Sequence, residues 1–202
     1  MAGLRERAKR AVRAELATVA LELFTRRGFD EVTVDDIAHA AGVSKRSFFR
    51  YFPAKEDAVF GGVQVMGDDI AEQLTARPAG EGPWESLHAV LREWVARIDS
   101  ESRAALRLIE STPTLRARFQ HRREEARGHI AAALAARTGL DAFTVDLLTS
   151  AAGAAIDCAS REWLRASTLD GSGPSPDEGS GIDHMSLVDA AFEQLRPACA
   201  PS

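Results

Sequence analysis

Thr33-Val34-Asp35-Asp36-Ile37-Ala38-His39-Ala40-Ala41-Gly42-Val43-Ser44-Lys45-Arg46-Ser47-Phe48-Phe49-Arg50-Tyr51-Phe52-Pro53 is the stretch on which the fold turns. It reads as two short helices joined by a tight turn. Thr33 caps the first, and Asp36 at the third helical position completes a capping box with Asp in place of Glu. The apolar face of that helix is Val34, Ile37, Ala38 and Ala41. Gly42 ends it, because a chain turning that sharply needs a residue that tolerates φ > 0. Ser44 caps the second helix, Phe48 and Phe52 point inward, and Pro53 stops the pattern.

Two short helices in this register are a helix-turn-helix. The second is the length that enters a DNA major groove. Lys45, Arg46, Ser47, Phe49 and Arg50 face outward on it. Lysine and arginine reach guanine O6 and N7, while Phe49 can only pack, for instance on a thymine methyl. Thr33 and Tyr51 offer hydroxyls and Lys55 an ammonium to backbone phosphates. His39 reads as a solvated polar residue.

Working outward, Val12, Leu16, Val19, Ala20, Leu23 and Phe24 form one stripe of a helix over about 5–27, closed by Gly28. The 55–76 segment reads as one helix through Val59, Val63, Met66, Ile70 and Leu74, weakened at Gly61-Gly62. Further helices are expected over 84–99, 103–110 and from Thr112 or Thr114 to Thr138. Residues 141–167 are apolar nearly all round, which suits a helix buried on more than one side. Residues 169–183 read as a flexible linker, and 185–195 as a last amphipathic helix. The expectation is an all-α protein: a three-helix helix-turn-helix domain over 1–54 and a helical bundle over 55–202.

The 202 residues carry a net charge of −5. That charge is sorted: the first 55 residues hold 11 basic and 7 acidic side chains, a basic head on an acidic remainder. Such a head suits a polyanion at one end of the molecule. Two cysteines, Cys158 and Cys199, make neither a disulfide framework nor a metal set, which favours a reducing, cytoplasmic setting. Cys158, among alanines, is expected to be buried. No signal peptide is read at the N-terminus, and no apolar run approaches the ~18 residues of a membrane span. No Gly-x-Ser-x-Gly, His-Glu-x-x-His, phosphate-binding glycine loop or zinc-spaced cysteine pair is present, so neither an enzyme nor a metal or other cofactor is expected.

The 33–57 segment, with Leu23-Phe24-Thr25-Arg26-Arg27-Gly28-Phe29 before it, resembles the DNA-binding segment of the TetR family of regulators. Phe48-Phe49-Arg50-Tyr51-Phe52-Pro53 further resembles a subgroup of acyl-CoA-like ligand binders and mycofactocin-type regulators. The resemblance implies a homodimer on a pseudo-palindromic double-stranded operator. It implies a ligand pocket in the second domain, and dimerisation through a four-helix bundle made from two C-terminal helices of each subunit. Many members have Tyr where this chain has Phe49.

On that reading Ala151, Ala152, Ala155, Trp163, Leu187 and Phe192 are expected at the dimer interface. Trp84, His88, Trp94, Arg107 and His121 are expected around a mostly apolar pocket with a few polar anchors, for a hydrophobic small-molecule effector. The function expected is a ligand-released repressor. The rival is a helical small-molecule-binding or scaffolding protein whose helix-turn-helix no longer binds DNA.

Overall fold

The computed structural model describes residues 2–61, 67–169 and 183–199, and those residues contain helices and no strand. The helices are α1 (Ala2–Arg27), α2 (Val34–Ala40), α3 (Lys45–Tyr51), α4 (Lys55–Val59), α5 (Gly67–Thr75), α6 (Pro83–Val95), α7 (Ser100–Ser111), α8 (Pro113–Thr138), α9 (Ala142–Leu169) and α10 (His184–Cys199). Packing divides the chain into two units. The first takes Met1–Val65 and Ile98–His121, the second Met66–Arg97 and Arg122–Ser202. This division differs from the 54/55 boundary read from the sequence, because α7 packs on α1 and the start of α8 meets the end of α4, where Phe119 lies on Phe60.

In the first unit α1 buries Leu16, Ala17, Ala20, Leu21 and Phe24. Ile37 and Ala38 of α2 and Phe48 of α3 complete the core with Val32, Phe29 and Phe52. α7 joins through Ala105, Leu106 and Ile109, and the Thr18 hydroxyl donates to Glu101 at 2.8 Å. Phe60 stacks on Phe119 with ring centroids 6.1 Å apart.

The long helix expected over 55–76 is instead α4 and α5. Gly61 lies against α1, where a Cβ would come within 2.9 Å of the Ala17 Cβ. That close approach uses a residue that is poor in helices. Gly62, Val63, Met66 and the linker at 170–182 lie outside the described residues.

The second unit is built on α6, α9 and α10. The Trp84 indole N–H donates to the Phe192 carbonyl at 3.2 Å, and the two rings lie 4.6 Å apart. Trp163 stacks on His184 at 4.3 Å. At the start of α5, a Cβ on Gly67 would sit 2.6 Å from the Ala126 Cα, so α5 and α8 meet backbone to backbone there. Arg123 ties α8 to Asp157 of α9.

Helix α9 corrects the dimer expectation. It carries two apolar stripes on opposite sides. Val145, Leu148, Ala152, Ala155, Ala159 and Trp163 are buried within one chain. So is Phe192 of α10. Ala152, Ala155, Trp163 and Phe192 are therefore core residues, and side chains used there cannot also meet a second copy. Ala151 and Leu187 are half-buried. The opposite stripe runs Phe143, Leu147, Ala154, Cys158, with Phe143 76% and Leu147 53% exposed. Cys158 is exposed, not buried, because it falls on that outer stripe. Over Ala142–Ala166 the helix is also long and apolar enough, by length and composition, to cross a bilayer, which the sequence reading had not anticipated. Its inner stripe packs on α6 and α10.

Candidate nucleic-acid interface

Two caps and one turn present α3. Thr33 Oγ1 accepts from the Asp36 N–H at 3.2 Å and donates to the Asp36 carboxylate, which also accepts from the Thr33 N–H at 2.8 Å. Arg27 of α1 reaches the same carboxylate at 3.1 Å. These bonds, the Thr33 hydroxyl's above all, hold the Asp36 carboxyl at about 2, below its usual 3.8. The clamp is intact above the ordinary carboxylate range and is lost as pH falls through about 2. Gly42 turns the chain at φ 66°, and Ser44 caps α3 by accepting from the Ser47 N–H at 3.1 Å.

Phe48 and Phe52 then fix α3 to the core, with ring centroids 5.6 Å apart and both side chains fully buried. With that face anchored, Lys45, Arg46, Phe49 and Arg50 are turned outward and exposed. Phe49 stays 46% exposed, edge-on to Phe48. Arg46 has no hydrogen-bond or ion-pair partner among the described residues. Ser47 is half-buried and accepts from the Ser44 hydroxyl at 3.0 Å. The Arg50 guanidinium lies 5.1 Å from the Tyr51 ring centre and donates to the Tyr51 hydroxyl at 3.2 Å. Tyr51 thus orients Arg50, and its own O–H is left to donate. His39 is exposed.

Two expected phosphate contacts change. Thr33 spends its only hydroxyl proton on the Asp36 carboxylate, so it holds the helix instead of an external acceptor. Lys55 donates to the Phe29 and Val32 carbonyls at 2.8 and 2.9 Å and sits over the Phe29 ring. Two of its three N–H groups are therefore committed to the loop between α1 and α2.

Three contributors were not read from the sequence: Arg27 on Asp36, Asp35 on Lys45, and Arg13, whose guanidinium lies 5.2 Å from the Phe52 ring centre. All three join residues of different elements, which spacing along one helix does not reveal.

The expected pocket residues are dispersed. Trp84 and His88 meet on Phe192, where the His88 ring stacks at 4.6 Å and its Nε2 lies 2.8 Å from Asp189. Both contribute to the α6–α10 packing. Trp94 is half-buried in the second unit. Arg107 and His121 are exposed and belong to the first.

Residues 16–59 match the profile of bacterial regulatory proteins of the tetR family, and residues 81–174 match the MftR C-terminal domain. The chain is 36% identical over 209 residues to the HTH-type transcriptional regulator TcmR of Streptomyces glaucescens, covering 96% of this chain and 87% of TcmR. This chain belongs to the TetR family. A putative mycofactocin biosynthesis transcriptional regulator, MftR of Mycobacterium tuberculosis, is 36% identical over 112 residues, 50% of this chain and 53% of that one. Among solved structures, native NalD of Pseudomonas aeruginosa, the secondary repressor of the MexAB-OprM multidrug efflux pump, superposes with a TM-score of 0.65. Its identity to this chain is 21%, over 94% of this chain and 97% of NalD. At that identity the likeness shows the fold. TetR-family proteins are DNA-binding transcriptional regulators that act as dimers, and they are not enzymes. This TetR-family regulator therefore binds DNA through its helix-turn-helix, and the scaffold alternative is not favoured.

Lys45 of the regulator is held 2.8 Å from Asp35, with both side chains exposed. The acid both occupies a cation on α3 and opposes a polyanion. Asp35→Asn is expected to tighten DNA binding by up to about fivefold, the equivalent of the ~1 kcal/mol upper range for an exposed ion pair. Anisotropy titration at low and high salt checks this, and weaker binding by the variant would show that Asp35 positions Lys45.

Proposed function

We propose that this TetR-family regulator is a ligand-released repressor that binds a pseudo-palindromic operator as a homodimer. The observation that carries the reading is α3, a capped seven-residue helix whose buried Phe48 leaves Lys45, Arg46, Phe49 and Arg50 exposed. In a two-fold dimer, two such helices about 34–36 Å apart meet successive major grooves on one side of the duplex. The outer stripe of α9, with Phe143 and Leu147 exposed, supports pairing of two copies there. Lys45, Arg46, Phe49 and Arg50 read bases, while Ser47, Tyr51 and the remaining N–H of Lys55 face the backbone. The effector is a hydrophobic small molecule. FadR of Thermus thermophilus, solved with lauroyl-CoA, shares the fold with a TM-score of 0.54 and 24% identity, over 91% of this chain and 92% of FadR. Release requires that the effector bind the DNA-incompetent state better, so effector and operator must weaken each other equally.

The test is Arg50→Ala on a duplex from the regulator's own upstream region. Loss of a bidentate base contact costs ~1–3 kcal/mol at particular base pairs. The variant is expected to approach its affinity for scrambled DNA, while binding to scrambled DNA changes little. Equal losses on both duplexes would show that Arg50 does not read bases. An acid or acyl thioester that raises the melting temperature should also release the operator over the same concentration range.

A further inference from the structure

Among the described residues three large apolar side chains are exposed: Phe143 and Leu147 on the outer stripe of α9, and Phe49 on α3. The first two share one face of one helix. Phe49 stands apart from them, among the outward cations Lys45, Arg46 and Arg50. The core beneath it is already closed by Phe48 and Phe52, both fully buried.

The surroundings of Phe49 fix what its ring can meet. At helical spacing Lys45 and Arg46 lie one turn before it on the same face, and Arg50 lies one turn after Arg46. The ring is therefore an apolar island in a cationic patch. It is also set in place. Phe48 meets it edge-on, with ring centroids 5.8 Å apart and planes at 83°. Its charged neighbours are held too: Lys45 lies 2.8 Å from Asp35, and Arg50 donates to the Tyr51 hydroxyl at 3.2 Å. A patch ordered in advance loses little side-chain freedom on binding.

A benzyl ring has no hydrogen-bond donor or acceptor to offer. In the major groove the base edges present donors and acceptors, with one exception, the C5-methyl group of thymine. A ring laid over a guanine O6 or a cytosine amino group strips it of water and returns no hydrogen bond. Laid over a methyl, it removes apolar surface from water on both sides. The cations around it suit guanine O6 and N7. Side chains one turn apart on a helix are about 5–6 Å apart at Cβ, and bases on one strand follow each other every ~3.4 Å. The methyl and the guanine are therefore one or two steps apart.

We propose that Phe49 is a specificity-determining residue that reads a pyrimidine C5-methyl near a guanine, and that the regulator therefore responds to cytosine methylation. This deepens the DNA-binding reading above and rests on it. 5-Methylcytosine carries the same methyl on the same ring carbon as thymine. Cytosine and uracil carry a hydrogen there. Phe49 has no polar atom with which to tell the C4 oxygen of thymine from the C4 amino group of 5-methylcytosine, so it accepts either base. A C-G step that is a poor site when unmodified becomes a better one when methylated.

The experiment is fluorescence anisotropy of the full chain on the upstream duplex, with each thymine replaced singly by uracil. At the thymine where this matters, the base pair is then changed to cytosine–guanine and to 5-methylcytosine–guanine. Each comparison, thymine with uracil and 5-methylcytosine with cytosine, differs by one methyl and leaves every base hydrogen bond unchanged. Each methyl is expected to tighten binding by about fourfold, the equivalent of ~0.8 kcal/mol for one buried carbon. In Phe49→Ala both differences should vanish, while Phe49→Leu, still apolar, should keep a preference for the methylated base. Phe49 is exposed, so both variants should melt like the unsubstituted chain. The salt dependence should not move, since no phosphate contact is lost. A ring that served only to support α3 would lower affinity and leave the methyl differences in place.

The proposal is overturned if no uracil duplex binds more weakly than its thymine parent, or if Phe49→Ala keeps the methyl differences. A thymine–uracil difference without a 5-methylcytosine–cytosine difference overturns the response to methylation. If the unsubstituted chain binds neither the upstream nor a scrambled duplex, the DNA-binding reading itself fails. If it discriminates between those two duplexes while every uracil duplex binds like its parent, only the role of Phe49 fails.

Discussion

Ala155→Glu is expected to unfold the α6–α9–α10 unit. Ala155 is buried on the inner stripe of α9, in line with Ala152, Ala159 and Trp163. That stripe packs on α6 and α10, where the large side chains are Trp84, Leu87 and Phe192. A carboxylate placed there has neither water nor a cation, and an unpaired buried charge costs several kcal/mol. Against a total stability of ~5–15 kcal/mol for an ordinary domain, that loss removes the cooperative transition or lowers it sharply. Leu147→Glu is the control, since Leu147 lies on the outer stripe and is half exposed already. It should leave the melting curve close to that of the unsubstituted chain and shift light scattering from dimer to monomer. A folded, monomeric Ala155→Glu protein would return Ala155 to the subunit interface.

Phe48→Ala should lose DNA binding to every sequence by loosening α3 itself. Phe48 has no exposed surface and packs on Phe52 at 5.6 Å and Phe49 at 5.8 Å. Truncating a buried phenylalanine costs ~3–5 kcal/mol from lost burial and the cavity left behind. A seven-residue helix has no independent stability to offset this. The first unit should melt earlier, and affinity for specific and scrambled duplexes should fall together. Phe49→Ala separates packing from reading: Phe49 is 46% exposed, so its loss should leave the melt nearly unchanged and alter only affinity for particular sequences. A Phe48→Ala protein that binds operator normally would mean that α3 is held by its caps alone.

The elements around α3 were legible in the sequence because each depends on residues a few positions apart. Thr33 and Asp36, Ser44 and Ser47, and the positive φ of Gly42 are local hydrogen bonds and local sterics. Phe48 and Phe52 share a face by helical spacing alone, and once they are inside, Lys45, Arg46, Phe49 and Arg50 are outside. What only the tertiary structure decided was which neighbour each surface meets. Helix α9 has two apolar stripes of similar character, and composition does not say which one faces its own chain. The Trp84 indole finds the carbonyl of Phe192, 108 residues away. The Lys55 ammonium, a phosphate ligand by position, reaches back to Phe29 and Val32. Gly61 lies where Ala17 of α1 leaves no room for a Cβ, and Arg13 finds Phe52 across two helices. Periodicity fixes the side of a helix on which a residue lies, and only the packed chain fixes what stands opposite.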